Sequence, residues 1–118
     1  MLAEANWSRI YIALGYTDMR CGIDGLASKV KEYYHLNPFE KDVLYLFCGR
    51  KPDRIKGLVW EGNGFMLLYK RLEAGKFKWP RSKEEVNQIT PKQLEWLLEG
   101  LSIYQKTSVQ DVFPEEVL

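Results

Sequence analysis

The sequence predicts a single α+β domain: a small antiparallel or mixed sheet with a central hairpin, packed by two helices. Three observations lead there. Residues 9–14 and 43–48 are apolar runs of strand length, Asn63-Gly64 sits between two further strand-like stretches, and two segments space their apolar residues as helices do. A chain of 118 residues, 46% of them hydrophobic, suffices for one packed core and is short for two.

Arg9-Ile10-Tyr11-Ile12-Ala13-Leu14 is rich in β-branched and aromatic side chains and is closed by Gly15, which reads as a first strand. Thr17-Asp18-Met19-Arg20 reads as a turn. Over residues 21–34, Ile23, Leu26, Ala27, Val30 and Tyr33/Tyr34 recur at helical spacing, with Gly22 and Gly25 weakening the first turn. Asn37-Pro38 ends that pattern. Val43–Cys48 is almost continuously apolar, as a strand buried on both faces should be.

Asn63-Gly64 predicts a two-residue hairpin loop, because both residues tolerate the positive φ of a type I′ turn. The implied register sets Trp60 against Leu67, Leu58 against Tyr69, Lys56 against Arg71 and Arg54 against Glu73. Lys76-Phe77-Lys78-Trp79 alternates charge with ring and predicts a short further strand. Thr90-Pro91 opens a second helix, with Thr90 as cap and Leu94, Leu97, Leu98 and Leu101 as its apolar stripe. Residues 1–106 are expected to form the domain and 107–118 a weakly patterned acidic tail.

The overall charge of +1 hides a polarity. Residues 50–83 hold ten Lys and Arg against Asp53, Glu61 and Glu73, a net +7, whereas residues 84–118 carry a net −5. Like charges opposed across a ribbon destabilise it unless an anion offsets them, and phosphate is such an anion. The candidate nucleic-acid surface is therefore Arg54, Lys56, Lys70, Arg71, Lys76 and Lys78, with Arg50, Lys51 and Arg81 at its margins. The competing explanation is that lysines guard an exposed strand edge against aggregation. Trp60, Phe65, Tyr69, Phe77 and Trp79 could stack on bases, but rings at alternate strand positions more often pack in a core.

Several classes are disfavoured. Cys21 and Cys48 lie far apart and His35 is the sole histidine, so no zinc set forms at usual spacing; the cysteines read as reduced thiols of a cytoplasmic protein. No apolar run is long enough to cross a bilayer, so no membrane partner is expected. Asp18, Asp24, Asp53 and Glu61 are the only carboxylates worth weighing for a metal-dependent nuclease, but their settings suit turns and a helix start. No cofactor, metal or catalytic residue is expected.

The segments Thr17-Asp18-Met19-Arg20, Gly22-Ile23-Asp24-Gly25-Leu26, Asp53-Arg54-Ile55-Lys56, Trp60-Glu61-Gly62-Asn63-Gly64-Phe65, Tyr69-Lys70-Arg71-Leu72-Glu73, Phe77-Lys78-Trp79-Pro80 and Thr90-Pro91-Lys92-Gln93-Leu94 together form a specific set. On them the chain resembles, end to end, the small TnpB-type accessory protein of insertion sequences of family sixty-six, which is unrelated to the RNA-guided nuclease of the same name. The resemblance implies a non-enzymatic role assisting a separate transposase, with Arg20, a motif residue, as a further candidate DNA contact. Cys21 departs from the family pattern, which usually has a basic residue there, so no cationic role is expected of position 21. The expected partners are DNA and the transposase, with the acidic C-terminal region engaging that transposase or a second copy. The alternative is an interaction module that binds the transposase without touching DNA.

Overall fold

The computed structural model describes residue 2, residues 5–81 and residues 85–105. Five strands make one mixed sheet: β1 (Arg9–Ala13), β2 (Val43–Cys48), β3 (Arg54–Trp60), β4 (Phe65–Arg71) and β5 (Val86–Ile89), in the order β4-β3-β2-β1-β5. β1 and β2 run parallel and every other neighbouring pair is antiparallel. Helix α1 (Ile23–Ser28) continues into a π-helical turn (Lys29–Tyr33), and α2 is Pro91–Leu98.

The period of two in the strands sorts side chains onto two cores. Val43, Tyr45 and Phe47 join Ala13 and Leu58 beneath Leu26 and Val30 of the first helical segment. Leu44, Leu46 and Cys48 join Ile10, Ile12 and Ile55 on the opposite face, where Leu94 and Leu97 of α2 close the layer. Both faces of β2 are therefore covered, which is why its sequence lacks polar alternation.

α2 starts as expected. Thr90 Oγ1 accepts from the Gln93 N–H at 3.1 Å, and Gln93 Oε1 accepts from the Thr90 N–H at 2.9 Å, a complete capping box with Pro91 in the first turn. Leu101, read as the end of the apolar stripe, lies beyond the helix and is exposed.

The structure differs from expectation at three places. The hairpin β3–β4 is at the sheet edge rather than its centre. Its loop is Gly62-Asn63, since the Glu61 N–H donates to Gly64 O at 2.9 Å and Trp60 pairs with Phe65. Gly62 has φ +92°, so it takes the first central position that a type II′ turn reserves for glycine. The slip moves each partner by two residues: Lys56 faces Tyr69, and Arg54 faces Arg71. Facing residues keep their side of the sheet.

Residues 76–79 belong to no strand. Phe77 and Trp79 are buried and Lys76 and Lys78 exposed, as the alternation implied, yet the Phe77 N–H donates to Pro52 O at 2.7 Å in a loop. The fifth strand is instead β5, which pairs with β1. The expected tail, 107–118, lies outside the described residues.

Candidate functional site

Because β1 and β2 are parallel, both end at the same edge of the sheet, where β3 begins and β4 finishes. The space beyond the carboxyl ends of parallel strands is the usual ligand crevice of open sheets. Here residues 16–20 and 49–54, distant in sequence, enclose a cleft of about 530 Å³. Residues 76–81 run alongside, held by the Phe77 bond to Pro52, by the Gly15 N–H donating to Pro80 O at 2.9 Å, and by Trp79 Nε1 donating to Ala13 O at 2.8 Å.

The turn at 17–20 is pinned from below. Thr17 is buried and its N–H donates to Cys48 O at 2.8 Å, while Lys29 Nζ reaches Thr17 Oγ1 at 3.4 Å. Lys56 Nζ donates to Met19 O at 2.7 Å and to Cys21 O at 2.8 Å. Gly49 makes the close approach possible, since a Cβ there would stand 2.7 Å from Met19 Cγ. Asp18 accepts from the Arg20 backbone N–H at 2.9 Å and from Arg20 Nη2 at 2.7 Å. The hydrogen bonds from Arg20 hold the Asp18 carboxyl down at about 2, so it stays ionised in ordinary buffers.

The expected cationic residues divide into two groups. Arg20 is paired with Asp18, Arg71 with Glu73 at 3.1 Å, and Arg54 Nε with Asp53 at 2.8 Å; Lys51 shares the same Asp53 at 3.7 Å. The Asp53 carboxyl is lowered chiefly by the hydrogen bond from Arg54. Lys56 is half-buried and committed to its two carbonyls. Two acidic neighbours therefore flank the like-charged pair Arg54 and Arg71, which needs no external anion to be tolerated.

The other group has no ion pair among the described residues. The Arg50 guanidinium lies 4.5 Å from the Tyr16 ring centroid and hydrogen-bonds the Tyr16 hydroxyl. Arg81 sits 5.8 Å from the same ring and donates from Nη2 to Gly49 O at 2.7 Å and Arg50 O at 3.3 Å. Carbonyls and a ring fix these two guanidiniums without cancelling their charge. Arg81 also approaches Cys48, whose thiol burial pushes up to about 11. Lys76 and Lys78 are exposed on the adjoining segment.

The structure thus gathers Arg20, Arg50, Lys51, Arg54, Arg71, Lys76, Lys78 and Arg81 at one end of the sheet. Lys70, at the same end, pairs with Ile55, one residue out of phase with Lys56 and Arg71, so it points to the α2 side, where it borders an apolar groove. The residue that sequence reasoning missed is Tyr16, whose only signal is its place directly after the Gly15 that ends the first strand. Asp18, Asp24 and Glu61 stay apart, with Glu61 just before the hairpin loop at the far end of β3, and no three metal-ligating side chains converge among the described residues.

Among the described residues, no helix is long and apolar enough to cross a membrane. No solved structure matches the chain. Two proteins of Sinorhizobium fredii (strain NBRC 101917 / NGR234) are similar over 101 residues: uncharacterized protein y4hO, 41% identical, covering 86% of this chain and 87% of the relative, and uncharacterized protein y4jC, 31% identical, covering 86% of each. Residues 8–108 match the model of the family described as IS66 Orf2 like protein. That match spans every described strand and both helices, and the chain belongs to the IS66 Orf2-like family of transposition-associated accessory proteins.

Proposed function

We propose that this accessory protein is a non-enzymatic DNA-binding factor that assists a separate transposase, and that it holds the DNA backbone at the cationic end of its sheet. One observation supports the reading: Arg50 and Arg81 are held at Tyr16 with no ion pair to a carboxylate among the described residues, next to exposed Lys76 and Lys78. A guanidinium already held in place loses little freedom when a phosphate arrives, and its charge is fully available to displace condensed counterions. Arg20, Lys51, Arg54 and Arg71 border this group and contribute less, since each has an acidic partner to give up. Contacts of this kind position a duplex without reading its sequence.

Fluorescence anisotropy of duplex DNA across a salt series tests the reading. Log affinity is expected to fall steeply with log salt. The triple variant Arg50→Gln, Lys76→Gln, Lys78→Gln is expected to flatten the slope by roughly two to three units, about 0.9 for each phosphate no longer neutralised. All three side chains are exposed, so the fold should survive the change. Equal slopes for variant and parent would overturn the assignment.

A second reading, a module that binds only the transposase, is favoured by a separate feature. Phe39, Trp60 and Phe65 form a ring cluster with centroids 4.9–5.3 Å apart at the opposite end of β3, and Phe39 is 52% exposed. Protein that ignores DNA at low salt yet co-elutes with transposase is the result that reading requires.

A further inference from the structure

The geometry points to β4 as a self-pairing edge, through which two copies of this chain join their sheets in antiparallel fashion about Leu68. β4 is the terminal strand of the sheet, seven residues long, and it opens with four apolar residues, Phe65–Leu68, all only half-buried. No proline interrupts it, and its charges are confined to Lys70 and Arg71 at one end. Edges of this kind are normally covered or broken up in chains that stay single.

The ladder fixes which register is available. The Glu61 N–H donates to Gly64 O at 2.9 Å and the Leu72 N–H to Asp53 O at 2.6 Å, so the even-numbered residues of β4 turn their backbone groups toward β3. Phe65, Leu67, Tyr69 and Arg71 therefore offer N–H and C=O outward. Two-fold pairing about Leu68 sets Phe65 against Arg71 and Leu67 against Tyr69, which uses every outward group of the strand. It also satisfies the charges. Arg71 comes to lie beside a phenyl ring and Lys70 beside Met66, so no like charges meet across the new ladder. Centring on Leu67 or Tyr69 instead leaves one outward residue of the strand unpaired with the other strand.

On the α2 side the same pairing has a further effect. An apolar groove of about 440 Å³ lies there, lined by Trp7, Ile55, Gly57, Met66, Leu68 and Leu98. Leu68 of one copy meeting Leu68 of the other joins the two grooves and covers their open margins. The axis is normal to the sheet, so the two cationic ends point in opposite directions. Resting on the DNA-binding reading above, the pair would hold one duplex at each end and bridge two DNA segments.

Sedimentation equilibrium and cross-linking of the full chain without DNA test the pairing. Leu68 pairs with itself at a position lacking cross-strand hydrogen bonds, where Cα atoms stand about 4.5 Å apart, within the roughly 4.4–6.8 Å a disulfide spans. Leu68→Cys should oxidise to a covalent dimer, whereas Phe65→Cys, facing Arg71, should not. Tyr69→Pro removes an outward donor and leaves the β3 ladder intact, so it should weaken self-association at least about tenfold while keeping the fold. A monomer at all concentrations, or equal cross-linking at 65 and 68, would overturn the proposal. For bridging, the cross-linked Leu68→Cys dimer should capture a labelled duplex on an immobilised one and Tyr69→Pro should not. Loss of DNA binding with the dimer intact would strike only the DNA reading, and a monomer that still binds DNA would strike only the pairing.

Discussion

Replacing Trp79 by alanine is expected to lower the unfolding free energy by about 3–5 kcal/mol, the range for truncating a buried large aromatic residue. The ring is only 6% exposed and packs in the core beneath α2. Its Nε1 donates to Ala13 O, the last residue of β1, across 66 residues of sequence. The hydrogen bond therefore ties the segment that carries Lys76, Lys78 and Arg81 to the sheet. Trp79→Phe keeps most of the apolar area and loses the hydrogen bond, leaving a buried carbonyl without its donor, at a cost of about 1–3 kcal/mol. Urea unfolding should rank parent, Trp79→Phe and Trp79→Ala in that order, and near-equal midpoints would refute the tie.

Lys56→Met is expected to destabilise the protein by about 3 kcal/mol and to leave the salt dependence of DNA binding unchanged. The ammonium group donates to Met19 O and Cys21 O, and hydrogen bonds to a charged group are worth about 1.5–3 kcal/mol each. Methionine keeps the stem and removes both donors, so two half-buried carbonyls at the turn before α1 lose their partner. The same side chain is too committed to serve as a phosphate contact. A Lys56→Met protein with parental stability and a slope flatter by about one unit would reverse that assignment.

These two residues also show where the sequence was legible. β2 announced itself because burial on both faces demands a continuous apolar run, and α2 because Thr90, Pro91 and Gln93 are local start signals. β5 did not. Val86-Asn87-Gln88-Ile89 is a short edge strand with two exposed polar residues in its middle, and only its partner β1 makes it a strand. The rings at 77 and 79 were correctly placed inside, but alternation reports burial, not the destination of backbone hydrogen bonds. The hairpin turned on Gly62-Asn63-Gly64, where two overlapping loops fit and the II′ turn prevailed.

The candidate site was legible as charge and illegible as compensation. Positive residues could be counted, and their convergence at one end follows from strands that begin or finish there. Whether each charge is free depends on contacts such as Lys56 with a carbonyl 37 residues away, or Arg81 with one 32 residues away. Of the ribbon residues first expected to carry binding, Arg54 and Arg71 are paired with carboxylates and Lys56 is held by two carbonyls, while Arg50 and Arg81, with no ion pair among the described residues, lie on loops around Tyr16.

The position of β1 in the sheet sets an order of assembly. Its neighbour β2 follows after one helical crossover, but its other neighbour is β5, so that Ile10 pairs with Ile89. Residues 9–71 can assemble from pairings between successive segments, whereas β5 and α2 must close the longest loop in the molecule before Ile10 and Ile12 gain their cover. A nascent chain therefore carries an open strand and an uncovered apolar face until residues 86–98 have emerged. Native-state hydrogen exchange should find β5 amides exchanging faster than those of β2, and uniform protection across the sheet would mean that the late piece never detaches by itself.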